Sequence, residues 1–174
     1  MLSLKPDDVQ FIGHGLMRPE CVLATRGGDL FASDGRGGVS VVRADGTQEF
    51  ILPDGAPDRF LPNGIALMPN RDVLIANLGA AGGVWRLRPD GALSLEIAEA
   101  DGLTLPPINF VGLDGAGRLW ITVSTRVIPR QDAFHKGHAD GFIVVYDNAG
   151  TRIVAEGLGF TNEAIVDPSG DWLY

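Results

Sequence analysis

Residues 63–74 read Asn63-Gly64-Ile65-Ala66-Leu67-Met68-Pro69-Asn70-Arg71-Asp72-Val73-Leu74. Ile65 and Leu67 alternate with small residues, a polar turn follows at 70–72, and a large apolar pair reopens the chain. Period-2 alternation bounded by turn residues predicts a hairpin with one buried face. The same pattern begins, without a gap, at Glu20, Asn109 and Asn162. Two and four residues after each start stand Val22 and Ala24, Ile65 and Leu67, Val111 and Leu113, Ala164 and Val166. Ten residues on come Leu30-Phe31, Val73-Leu74, Leu119-Trp120 and Trp172-Leu173.

The first three units continue. A glycine opens a third strand at Gly38, Gly83 and Gly141. Asp45-Gly46, Asp90-Gly91 and Asn148-Ala149-Gly150 then mark a second turn, which suits residues that tolerate positive φ. A fourth strand is predicted over 48–52, 93–98 and 151–155. The unit starts lie 43, 46 and 53 residues apart, and the longest interval carries an insertion over about 126–140. Units of this length with four antiparallel strands each predict an all-β fold, a β-propeller rather than a sandwich. Blades are expected over 20–52, 63–98 and 109–155, with a fourth beginning at 162–174. One blade cannot bury both faces alone, so the 174 residues read as about three and a half blades of a longer propeller.

Composition sets limits. The chain is 45% hydrophobic and 21% charged, which excludes a disordered chain. Its 14 basic against 22 acidic residues give a net charge of −8. That argues against nucleic acid and anionic membranes as partners, since both need a basic patch. The single Cys21 excludes a disulfide framework and a Cys-based zinc site, and its apolar neighbours mark it as a small buried hydrophobe. The start of the chain lacks the basic and apolar regions of a signal peptide, and no apolar run approaches a membrane span. A cytoplasmic setting is the expectation.

The four unit starts are the candidate site. In a propeller the first strands line the central channel, so Glu20, Asn63, Asn109 and Asn162 are expected as a ring at one end of it. One carboxylate with several amide oxygens suits a hard divalent cation, Ca²⁺ before Mg²⁺, Mn²⁺ or Zn²⁺. For Asn63, within Pro62-Asn63-Gly64, plain turn chemistry is the competing reading. Arg126 is a candidate for an anionic substrate. His135-Lys136-Gly137-His138 reads as a solvated loop, with a channel lid as the alternative. Asp34 reads as a turn residue.

Arg18-Pro19-Glu20, Pro107-Ile108-Asn109 through Gly117-Arg118-Leu119-Trp120, and Phe160-Thr161-Asn162 through Leu173-Tyr174 together resemble the family of gluconolactonase, regucalcin (senescence marker protein) and luciferin-regenerating enzyme, six-bladed propellers. The resemblance implies one divalent cation held by Glu20, Asn162 and an Asp lying beyond Tyr174, which would also be the general base. It implies a substrate contact by Asn109, and hydrolysis of a small lactone or ester by the complete protein, with the 174 residues alone inactive. Two positions depart from the pattern: Pro107 stands where sugar-lactone members commonly carry Arg, and Asn63 where paraoxonase-like members carry His. A strictosidine-synthase-like propeller and a non-catalytic ligand-binding propeller are the alternatives. The absence of a Gly-x-Ser-x-Gly elbow argues against a serine hydrolase.

Overall fold

The computed structural model describes residues 5–135 and 137–174. Lys136, inside the histidine-bearing insertion, and Met1–Leu4, at the start of the chain, lie outside the described residues. Three four-stranded antiparallel sheets follow one another along the chain. Sheet 1 comprises β1 (Val22–Ala24), β2 (Leu30–Asp34), β3 (Gly38–Val42) and β4 (Gln48–Ile51). Sheet 2 comprises β5 (Pro62–Leu67), β6 (Val73–Asn77), β7 (Val84–Leu87) and β8 (Leu93–Ile97). A short hairpin, β9 (Glu99–Ala100) with β10 (Leu103–Thr104), links it to sheet 3: β11 (Phe110–Leu113), β12 (Leu119–Val123), β13 (Gly141–Asp147) and β14 (Gly150–Leu158). After sheet 3, Ile165 and Tyr174 exchange backbone hydrogen bonds as the start of a further hairpin. Each sheet is a meander whose neighbours in space are neighbours in sequence. Gly46 and Gly91 take φ near +90°, as their turns require. No helix among the described residues is long and apolar enough to cross a membrane.

The sheets pack face to face, and β6 shows why the alternation arises. Val73 and Ile75 point to one side and join Phe31, Val39 and Val41 of sheet 1. Leu74 and Ala76 point to the other side and join Val111, Ile121, Phe142 and Val144 of sheet 3. A sheet covered on both faces needs apolar residues at odd and even positions alike, so β6 is buried throughout. Leu105 and Ile108, from the linker, close the second of these cores.

The inner strands approach each other closely. The Gly64 N–H donates to the Asn109 carbonyl at 3.1 Å, and a Cβ on Gly64 would lie 2.6 Å from the Phe110 Cα. Only glycine permits β5 and β11 to run this near.

Sheet 1 departs from the expected alternation. Val22 and Ala24 were predicted on the buried face, but Val22 is 56% exposed and Ala24 is exposed. Leu23 instead turns toward the core shared with sheet 2. The physical reason is that no described sheet lies against the Val22 side of sheet 1. Glu20, two residues before Val22, is likewise exposed.

Candidate functional site at one end of the inner strands

The first strands β1, β5 and β11 and the segment after β14 bring Glu20, Asn63, Asn109 and Asn162 to one end of the inner strands. Asn63 lies inside β5 rather than in a turn, and both it and Asn109 are buried. A directed chain of hydrogen bonds joins three of the four. Asn63 Nδ2 donates to the Asn109 carbonyl at 2.6 Å, and Asn109 Nδ2 donates to both the carbonyl and Oδ1 of Asn162 at 2.7 Å. Each amide therefore ties its sheet to the next and keeps its own oxygen turned the other way. Thr122 adds a 2.6 Å hydrogen bond from its hydroxyl to the Asn162 carbonyl.

Two arginines complete this end of the inner strands, here called the mouth. Arg18, at φ +48°, donates from Nη2 to Asn63 Oδ1 at 2.8 Å and lies 3.3 Å from Glu20 Oε1. Through it Glu20 joins the chain. Arg130 donates from Nη2 to Asn109 Oδ1 at 3.3 Å and to Ser124 Oγ at 3.1 Å. Burial pushes the Arg130 pKa below its ordinary value; nearby Arg18 adds to that and Glu20 partly offsets it. The sequence reading missed both side chains. Arg18 precedes β1, where no alternation predicts a direction. Arg130 sits in the insertion on a 3₁₀ turn, Arg130–Ala133, that has no counterpart in the other units. The available signal was the apolar pair Ala133-Phe134, which a purely solvated loop does not need; Ala133 is buried.

Arg126 is placed elsewhere. Its guanidinium donates to the Asp140 carbonyl at 2.7 Å and to Glu156 Oε1 at 2.5 Å, and lies 4.3 Å over the Phe142 ring. These partners belong to β13, β14 and the segment before them, so Arg126 braces the outer strands and does not meet the asparagines. His138 lies 2.9 Å from Asp140 Oδ1, with the His135 ring edge-on to it. Burial works against the Asp140 charge, but the Thr125 hydroxyl, the Arg126 N–H and His138 outweigh it and hold the carboxyl below its usual range. Cys21 is half-buried; burial raises its thiol pKa, which suits packing rather than nucleophilic attack. Below the mouth, the inner strands border an apolar cavity of about 420 Å³ flanked by Leu23, Ile65, Leu67, Phe110 and Ile165.

With this geometry, the chain is similar to a gluconolactonase of Xanthomonas campestris important in glucose secondary metabolic pathways: TM-score 0.66, 20% identity, over 85% of this chain and 50% of that one. It is also similar to a streptogramin B lyase, with TM-score 0.53 and 18% identity over 76% of this chain and 39% of that chain. A virginiamycin B lyase from Staphylococcus aureus matches at TM-score 0.53 and 15% identity, over the same shares. The fold is shared with these proteins. The chain spans at most about half their length. No protein-family model matches the chain, and no curated protein matches it. At these identities the likeness concerns the path of the backbone, and any argument about chemistry has to come from the side chains themselves.

The side-chain acceptors at the mouth are oxygens, one of them a carboxylate, which is the donor type hard cations take, but the Arg18 guanidinium occupies the point where the Glu20 and Asn63 oxygens converge, so a cation would have to displace it. No cluster of three His, Cys, Asp or Glu side chains exists among the described residues, so any cation here would rely on amide oxygens beside Glu20.

Proposed function

We propose that the complete protein is a lactonase, a propeller hydrolase that opens a small lactone or ester at this mouth with one divalent cation, Ca²⁺ first. The observation that carries the reading is the run from Glu20 by an ion pair to Arg18 and then by hydrogen bonds through Asn63 and Asn109 to Asn162, on a fold shared with a gluconolactonase. Glu20 and Asn162 would hold the cation, with Asn109 beside them. When bound, the cation supplies carbonyl polarisation and an acidified water. This chain's own residues bind and orient. The amide chain fixes which way the Asn109 and Asn162 oxygens face. In the reaction, water adds to the ester carbonyl carbon, the ring C–O bond breaks, one water proton passes to the departing alkoxide and the other is released to solvent, giving a hydroxycarboxylate.

The test is a lactone panel followed by pH-stat on the full gene product, with and without chelator. Hydrolysis that disappears with chelator and returns with Ca²⁺ is the expected result; chelator-insensitive hydrolysis, or none on any lactone, contradicts the proposal. A second reading, a propeller that binds a ligand without turning it over, is favoured by one observation: the mouth amides also stitch neighbouring sheets together, which a scaffold would need on its own account. Saturable lactone binding without hydrolysis would select it.

A further inference from the structure

Arg130 is unlike the other arginines. Arg18, Arg36, Arg43, Arg71, Arg86, Arg118, Arg126 and Arg152 each meet a carboxylate. Arg26, Arg59 and Arg88 lack one but stand exposed in solvent. Arg130 is half-buried, and among the described residues no carboxylate pairs with it. Its protein acceptors, Asn109 Oδ1 and Ser124 Oγ, are neutral and use only Nη2. The N–H groups on Nε and Nη1 have no protein acceptor among the described residues. The guanidinium plane is held from the side by Phe160, 4.9 Å away, which packs edge-on against Phe134 at 4.6 Å between centroids. A guanidinium taken partly out of water without a paired carboxylate gains from an anion that joins it. Arg18 adds positive charge on the same side and Glu20 offsets only part of it, so two guanidiniums share one carboxylate there.

We infer that Arg130, clamped between Phe160 and the Asn109–Ser124 pair, is a substrate-positioning residue that receives a small organic carboxylate at the channel mouth. The inference rests on the lactonase reading for the source of that carboxylate: a substituent on the lactone, or the acid that hydrolysis releases. Charge-assisted hydrogen bonds from a planar fork suit a carboxylate better than a neutral carbonyl.

The experiment is direct binding, which does not depend on turnover. The full gene product is titrated with 4-hydroxybutyrate, with 5-oxotetrahydrofuran-2-carboxylate and with neutral γ-butyrolactone, read by calorimetry and by the arginine Nε–H resonances. Both carboxylates, or one of them, should bind and move one arginine resonance, and Arg130→Met should weaken that binding by about tenfold or more. Arg130→Lys should restore part of it, and Arg152→Met, on the outer strands, should leave it unchanged. Loss confined to the lactone acid identifies a substituent; loss confined to the hydroxy acid identifies the product. Carboxylate binding at wild-type affinity in Arg130→Met, or neutral lactone binding as tightly as the acids, overturns the inference. If Arg130→Met fails to fold, the Arg130→Lys variant and the wild-type resonance shift still decide. Carboxylate binding without hydrolysis of any lactone would sink the lactonase and leave this site standing.

Discussion

At the turn end of the inner strands Arg43, Arg71, Arg86 and Arg118 each meet a carboxylate; at the mouth end Arg130 does not. Arg43 joins Asp29 and Glu49, Arg86 joins Asp72 and Glu96, and Arg118 joins Asp114, so the 1–2 turn of each sheet closes with a complete ion pair. At the mouth a single carboxylate, Glu20, faces two guanidiniums, Arg18 and Arg130, across neutral amides. The turn-end pairs lock hairpins, and their removal should cost stability. The mouth groups are left with unmet charge and half-open geometry, and their removal should cost binding and turnover. On the proposed reading, the same repeat carries a structural end and a chemical end.

The largest effect that could break this contrast is at Asn109. Asn109→Leu removes the donor to Asn162 and the acceptor of Arg130 at once. Lactone hydrolysis by the full gene product should fall by about a hundredfold or more in kcat/KM, the scale seen when a positioned polar group is lost from a reacting site. Steady-state kinetics with near wild-type turnover would place the chemistry elsewhere. At the turn end, Arg86→Met strands the partly buried Asp72 and Glu96. Urea unfolding should show a loss of about 2–3 kcal/mol, less than for a fully buried pair, with kcat/KM retained.

Asp34 sharpens the contrast, because it lies near the mouth yet behaves like a turn-end acid. Its side chain is completely buried. Burial opposes its charge, but Arg36, Ser40 and the Met17 N–H overcome this and lower its pKa to about 2. A lowered carboxylate pKa stabilises the fold above the unfolded value of 3.8, and that stability is lost as pH falls from there toward 2. The contribution is about 2 kcal/mol. Asp34→Asn should flatten the acid limb of the stability curve in that window, followed by circular dichroism, and leave lactone affinity as it was. An unchanged acid limb would show that Asp34 is not the group responsible.

Much of the fold was legible because hairpins are local. Turn residues at Asp45-Gly46 and Asp90-Gly91 fixed where strands end, and the strands fall within a residue or two of their predicted bounds in sheets 1 and 2. The facing of β1 was not legible. Alternation separates Val22 from Leu23 but does not say which side a neighbouring sheet will cover. The β9–β10 hairpin was missed because each strand has two residues, too few to show a period. The repeat register found the four mouth positions, since equivalent residues in a repeat share a place. It could not find Arg130, which comes from the one segment without an equivalent, and it favoured Arg126, whose partners in Asp140 and Glu156 lie 14 and 30 residues further along the chain.

The central claim, that chemistry belongs to the mouth and stability to the turns, is tested most directly by deleting one negative charge at each end. Glu20 is about half exposed, and its described partner is a 3.3 Å ion pair of a kind worth under about 1 kcal/mol. Asp72 is nearly buried and holds Arg86 at 3.0 Å. In the full gene product, Tm and lactone kcat/KM are measured for Glu20→Gln and Asp72→Asn. The account predicts that Glu20→Gln loses at least about tenfold in kcat/KM with Tm unchanged, while Asp72→Asn loses several degrees in Tm with kcat/KM unchanged. Full hydrolysis in Glu20→Gln, or an equal loss of hydrolysis in Asp72→Asn, would contradict it.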